Sequence, residues 1–274
     1  MNTIPKTARY LDAHAHLDLY RDGGKKALAD IEAHGILTVS TAMNPASYKI
    51  ARSLAEKSPL VIPAFGVHPW EAPAYADRLD ELDDDLRTAP IIGEVGLDRR
   101  FVTDSTLYPT QERVFDYFLS HAGETGKILN LHTPDAEMKV VLLLRARDIT
   151  RAIIHWFSGP ADAFEALIDI GCYFTVGVEV LSSEQIRDIA RMIPLDRLLT
   201  ETDNPGAVMW SKNTDDEGMP PLVFDVLGAL AYIHRMPTDE LAHRIMDNFN
   251  TLTKDDPHIA DFRRRAFCDG PVPA

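Results

Sequence analysis

The chain is poor in cysteine, in basic residues and in long apolar runs. Its 274 residues include two cysteines, Cys172 and Cys268. Two thiols so far apart exclude a disulfide framework and a Cys-rich zinc module. Cys172 lies in an apolar run and reads as a small buried hydrophobe. No apolar run is long enough to span a bilayer, and residues 1–9 lack the apolar h-region of a secretory signal. The expected setting is therefore soluble, reducing and cytoplasmic, with no membrane partner. Lys and Arg number 28 against 42 Asp and Glu, for a net charge of −14. That argues against broad nucleic-acid binding through a basic surface. It leaves a nuclease open, because two divalent cations would add about four positive charges locally.

What the chain has is a recurring pattern. A short apolar run ends in polar or glycine-containing residues, and a helical stretch follows. The runs span Tyr10–His16, Ile36–Ala42, Val61–His68, Ile91–Leu97, Ile128–His132, Ala152–Trp156, Cys172–Val178 and Leu198–Asp203. Between them, Phe115, Phe118 and Leu119 share a helical face, as do Phe164, Leu167 and Ile168. The second of these helices is framed by Pro160 at its start and Gly171 past its end. The longest irregular segment runs from Asn204 to Pro221, and helices are expected over Leu222–Arg235 and Thr238–Asn250. Eight strand–helix alternations without a dividing linker predict one (β/α)8 TIM-barrel domain, an α/β fold, over residues 1–274. The barrel should occupy about residues 10–250, with a loosely packed polar tail from Lys254 onward.

The first run carries Asp12-Ala13-His14-Ala15-His16. On a strand, side chains alternate faces, so His14 and His16 point to one side and can share a metal ion. Alone, this spacing is a weak signal. It gains weight because active sites of such barrels form where strands end, and the later strand ends carry His68, Glu94, His132, His155 and Asp203. Four histidines and two carboxylates can hold two divalent ions about 3.5–4 Å apart with one carboxylate shared. Mixed nitrogen and oxygen ligation suits Zn or Mn better than Mg, which stays open. His34, His121, His234 and His243 fall in expected helices and His258 in the tail, and none is assigned a role.

In six blocks the chain resembles the TatD-family metal hydrolases of the amidohydrolase superfamily. These are Asp12–Asp18, Gly66-Val67-His68-Pro69, Gly93–Asp98, Leu131-His132, His155–Gly159 and Leu198–Asp203. The resemblance covers about Leu11 to Asn250. It implies a metal-dependent phosphoesterase, usually a deoxyribonuclease with 3′→5′ exonuclease activity, and the acidic surface points to single-stranded or frayed DNA ends as the substrate. It also implies that His14, His16 and Asp203 hold one metal, that His132 and His155 hold the second, and that Glu94 bridges. Glu94, Asp203 and His68 would be the catalytic residues, with His68 approaching the substrate phosphate. The stretches His155–Gly159 and Gly171–Gly177 also resemble the TatD branch of Qat anti-phage defence systems, which would bring protein partners.

The chain departs from the family in its substrate-facing loops. Thr133-Pro134-Asp135 replaces a basic run, Asn204-Pro205-Gly206 follows the last Asp, and the usual Asn-Glu-Pro segment is not evident in Asp215–Pro220. Arg21, Arg99, Arg100 and Lys212 are the basic candidates to replace the lost arginine, and Trp70, Trp156 and Trp210 offer stacking faces. Two alternatives stay open. One is a carbonyl-centre hydrolase, a lactonase or amidase, on the same barrel. The other is a non-catalytic subunit of a complex.

Overall fold

A computed structural model describes residues 8–267; Cys268 lies outside them. Eight strands form one parallel sheet in sequence order. They are β1 Tyr10–Ala15, β2 Ile36–Thr41, β3 Val61–Phe65, β4 Ile91–Gly96, β5 Leu129–His132, β6 Ala152–Ile154, β7 Tyr173–Val176 and β8 Leu198–Thr200. Closure between β8 and β1 runs through polar groups near the strand ends. The Thr200 hydroxyl donates to the Leu11 carbonyl, and the Asp203 amide donates to the His14 carbonyl at 2.9 Å. The expected (β/α)8 barrel is the observed architecture.

The connecting helices are α1 Lys25–His34, α2 Pro45–Lys57, α3 Ala72–Tyr75, α4 Asp83–Thr88, α5 Tyr108–Thr125, α6 Glu137–Arg145, α7 Ala161–Ile170 and α8 Glu184–Met192. After β8 come α9 Gly206–Lys212, α10 Val223–His234, α11 Thr238–Thr253 and α12 Ala260–Phe267. Local signals set their ends. The Asn44 side chain accepts from the Ala46 and Ser47 amides and caps α2, with Pro45 in the first turn. Gly171, at φ 95°, stops α7 in the left-handed region. None of the described helices is long and apolar enough to cross a membrane.

Alternation decides what faces the barrel axis. On β1, Leu11, Ala13 and Ala15 join the apolar core, while Asp12 and His14 turn the other way toward polar partners. Cys172 is fully buried, as expected of a small hydrophobe.

The tail differs from expectation. Residues 260–267 form α12, with Ile259 and Ala266 completely buried. The Ala266 carbonyl accepts from the Ala8 amide, and Arg265 donates to the Ala55 carbonyl. Phe262 and Phe267 are partly buried against the core as well.

Candidate metal centre

The polar strand ends converge. The strand ladders stop before several of these residues: His16, His68, His155 and Asp203 lie just past β1, β3, β6 and β8. Trp156 at φ 41° and Asp203 at φ 50° turn the chain there in the left-handed region, where non-glycine residues are strained by about 1–3 kcal/mol. His14, His16, His68, Glu94, His132 and His155 are all buried. Asp203 is the more open carboxylate, its side chain 19% exposed against 3% for Glu94.

Glu94, on β4, is the centre of the arrangement. Its Oε2 lies 3.5 Å from His14 Nε2 and 3.3 Å from His16 Nε2. Its Oε1 lies 2.9 Å from His132 Nδ1, 3.4 Å from His68 Nε2 and 3.9 Å from His155 Nε2. Asp203 Oδ1 stands 3.2 Å from His16 Nε2 and 3.7 Å from His14 Nε2. The His14 and His155 rings stack at 3.6 Å.

Each of four histidines has its other ring nitrogen tied to an acceptor. His14 Nδ1 meets Asn130 Oδ1 at 2.9 Å, and Asn130 donates its own amide to the Ala13 carbonyl. His16 Nδ1 meets the Thr41 carbonyl, His132 Nε2 meets Asp98 Oδ2, and His155 Nδ1 meets Glu201 Oε2 at 2.7 Å. A neutral imidazole has one N–H and one lone pair. The outer nitrogens therefore carry the protons, and four lone pairs point inward at carboxylate oxygens. His14 Nε2 and His16 Nε2 even face each other at 3.4 Å. Acceptor against acceptor in a buried site is relieved by a proton on one ring or by a metal cation between them. Ligating histidines in metal sites are oriented by the same kind of outer partner. The residues thus fit a divalent metal, and His14, His16 and Glu94 are close enough to share one ion.

The charge environment agrees. Burial alone would raise Glu94, but the surrounding imidazoles hold it well below the usual carboxylate range. Burial opposes charge on His155, yet Glu201 lifts it to about 9, so near pH 7 this ring holds a second proton that a divalent ion would have to displace. Asp98, despite its burial, is held at about 2 by His132 and the Phe101 amide. Asp12 lies beneath the centre and accepts from both the Thr202 amide and hydroxyl. Burial outweighs those bonds and pushes it up to about 7.

A family model described as TatD related DNase matches residues 11–254. The chain belongs to the TatD family. It is 30% identical over 263 residues to the uncharacterized metal-dependent hydrolase YcfH of Escherichia coli K12, an overlap of 88% of this chain and 94% of that one. It is 29% identical over 241 residues to the 3'-5' ssDNA/RNA exonuclease TatD of Pantoea vagans, covering 83% and 90% respectively. The crystal structure of YjjV, a TatD homolog from Escherichia coli K12, superposes with a TM-score of 0.80 at 24% identity, covering 89% of this chain and 98% of that one. The chain is therefore an enzyme, a TatD-type metal-dependent hydrolase.

In this TatD enzyme the centre forms the floor of a cavity of about 510 Å³. Trp70, Trp156 and Trp210 all line it, as does Phe101, and the four rings stand edge to face in series. Of the four basic candidates, Arg100 alone reaches the cavity among those whose side chains are described. Arg99 is drawn off to Glu112 and lies over the Tyr108 ring. Arg21 instead anchors the loop after β8, through Glu217 and the Asp215 carbonyl.

His68, expected to approach the substrate phosphate, lies beside Glu94. Its Nδ1 accepts from the Trp70 amide, so the proton sits on Nε2, which faces Glu94. Burial pulls this imidazole down to about 4, and it is neutral near pH 7. It also falls with Glu94 and His132 in a group tight enough for a metal.

The orienting residues Asn130, Asp98 and Glu201 were not singled out from sequence. Asn130 did carry a signal: it stands two residues before His132 on the same strand face.

Proposed function

We propose that this TatD enzyme is a phosphodiesterase that removes nucleotides from the 3′ end of single-stranded or frayed DNA. One observation carries the reading. The two oxygens of Glu94 divide the histidines, with Oε2 toward His14 and His16 and Oε1 toward His132 and His155. That is the arrangement a carboxylate shared by two cations needs. His14, His16 and Asp203 would hold one ion, His132 and His155 the other, and the mixed donors suit Zn or Mn, with Mg also possible for the chemistry. Bound divalent ions supply an activated water and neutralise charge building at phosphorus.

The chain's own groups do the rest. Asp203, open to the cavity, takes the proton from the attacking water. Water adds to phosphorus, the P–O3′ bond breaks, and the 3′-oxygen of the penultimate nucleotide leaves with the proton that Asp203 took up, freeing a 5′-nucleotide. His68, as a neutral N–H donor, steadies Glu94 beside the substrate. Arg100 supplies the cavity's positive side chain in place of the arginine lost after β5. The cavity volume is within the range of small-molecule sites, which favours a chain end over a duplex interior, as does the net charge of −14. The name of the Pantoea vagans relative supports the substrate class. The segments resembling the Qat branch support a cytoplasmic defence setting with protein partners.

The test is a labelled single strand, with a free or a blocked 3′ end, incubated with metal-stripped enzyme and added Mn, Zn or Mg. Release of 5′-nucleotides from the free end only, abolished by chelator, is expected. Metal-dependent turnover of a lactone or acylated amino acid panel with no nucleotide release would overturn the nuclease reading and leave the carbonyl-centre alternative.

A further inference from the structure

The cavity wall above the centre carries a carboxylate that the hydrolytic chemistry does not use. Glu179 lies in the short 3-10 turn Val178–Leu181 after β7 and lines the cavity. Its Oε2 accepts from Trp156 Nε1 at 2.7 Å. Its Oε1 accepts no hydrogen bond from any described residue. Trp156 follows His155 directly, with the two rings 6.1 Å apart. The Trp210 ring stands 5.8 Å from that of Trp156, and the residue is 61% exposed. Gln185 lines the same wall and donates to the Ser158 carbonyl. A phosphate would be repelled by Glu179. The polar group suited to this wall is an N–H donor carried on a flat ring that can lie against tryptophan.

We propose that Glu179, held by Trp156, reads the base of the 3′-terminal nucleotide. The inference rests on the nuclease reading and adds a specificity to it. The tryptophans hold the base by its face, which every base offers. Glu179 Oε1 then accepts from an exocyclic amine, N4 of cytosine, N6 of adenine or N2 of guanine. Thymine has no such amine; its one donor on that edge, N3–H, is flanked by two carbonyl oxygens that would also face the carboxylate. The enzyme should therefore release terminal dC, dA or dG faster than terminal dT. Arg100 cannot set this preference. Its guanidinium is engaged with Asp135 and Ser158 and would meet phosphate, which is common to all nucleotides.

The experiment uses four otherwise identical single strands that differ in the 3′-terminal base, with kcat/KM measured for wild type, E179Q and E179L in the presence of Mn. Wild type should disfavour dT by about five-fold or more. In E179Q the amide oxygen stays on the Trp156 N–H, so the amide NH2 replaces Oε1 and faces the base. The preference should then shift toward dT, an outcome that a merely structural role for Glu179 would not produce. E179L should flatten the ratios. Equal rates for all four strands in wild type, or a wild-type pattern retained in E179Q, would overturn the base-reading role alone. No nucleotide release from any strand would overturn the nuclease reading and this inference with it.

Discussion

Glu94 concentrates the requirements of the centre in one side chain. It is buried, held ionised by imidazoles, and presents a separate oxygen to each group of histidines. Glu94→Gln keeps the shape and removes the charge. Activity with metal in excess should fall by about 10²–10³ or more, with an unchanged circular dichroism spectrum. Wild-type turnover in this variant would remove Glu94 from the shared position. Glu201 acts one step further out, through His155 Nδ1 and the Trp156 amide. Glu201→Gln should weaken metal affinity by about 10–100-fold, read by titrating the metal-stripped protein. Affinity equal to wild type would make the Glu201–His155 contact a packing feature only.

Among the elements, β4 and β5 approach so closely that only glycine fits between them. A Cβ on Gly96 would stand 1.9 Å from the His132 carbonyl oxygen, and the residue sits at φ 152°. Just past the end of β3, a Cβ on Gly66 would likewise meet the Glu94 carbonyl of β4 at 2.3 Å. These contacts are backbone against backbone, so no rotamer change relieves them. Gly96→Ala should cost at least about 1–3 kcal/mol through strain and should also displace His132. Urea denaturation and metal titration of the one variant should both show a loss. Normal stability with normal metal affinity would mean that β4 and β5 can separate without harm.

At the scale of the whole molecule, Lys127 is a buried cation outside the cavity lining. Its ammonium donates to the Leu86 and Arg87 carbonyls, yet burial lowers it from 10.5 to about 8. Between those two values the unfolded chain keeps a proton that the folded chain has released. Stability should therefore rise with pH across that window, by up to about 3 kcal/mol in total. Below about pH 8 the cost of the buried charge is fully present. Lys127→Met should abolish this rise relative to wild type in urea titrations between pH 7 and 10. An identical slope in the two proteins would show that the Lys127 charge is not strained.

Much of this protein can be read from local pattern. Apolar runs alternating with helical stretches specify a barrel, because each strand and helix declares its period within a few residues. Period-two spacing puts His14 with Asp12, and Asn130 with His132, on shared faces. The strand-end positions of His14, His16, Glu94, His132, His155 and Asp203 were legible for the same reason. Other features depend on partners brought together only by closure of the sheet. His14 is oriented by a residue 116 positions away and His155 by one 46 away, so the nitrogen each turns inward has no local signature. The destinations of Arg21 and Arg99, the neutrality of His68 and the packing of α12 are likewise tertiary. Each is set by burial and by which opposite charge lies nearest in space, and neither quantity is encoded in sequence neighbours.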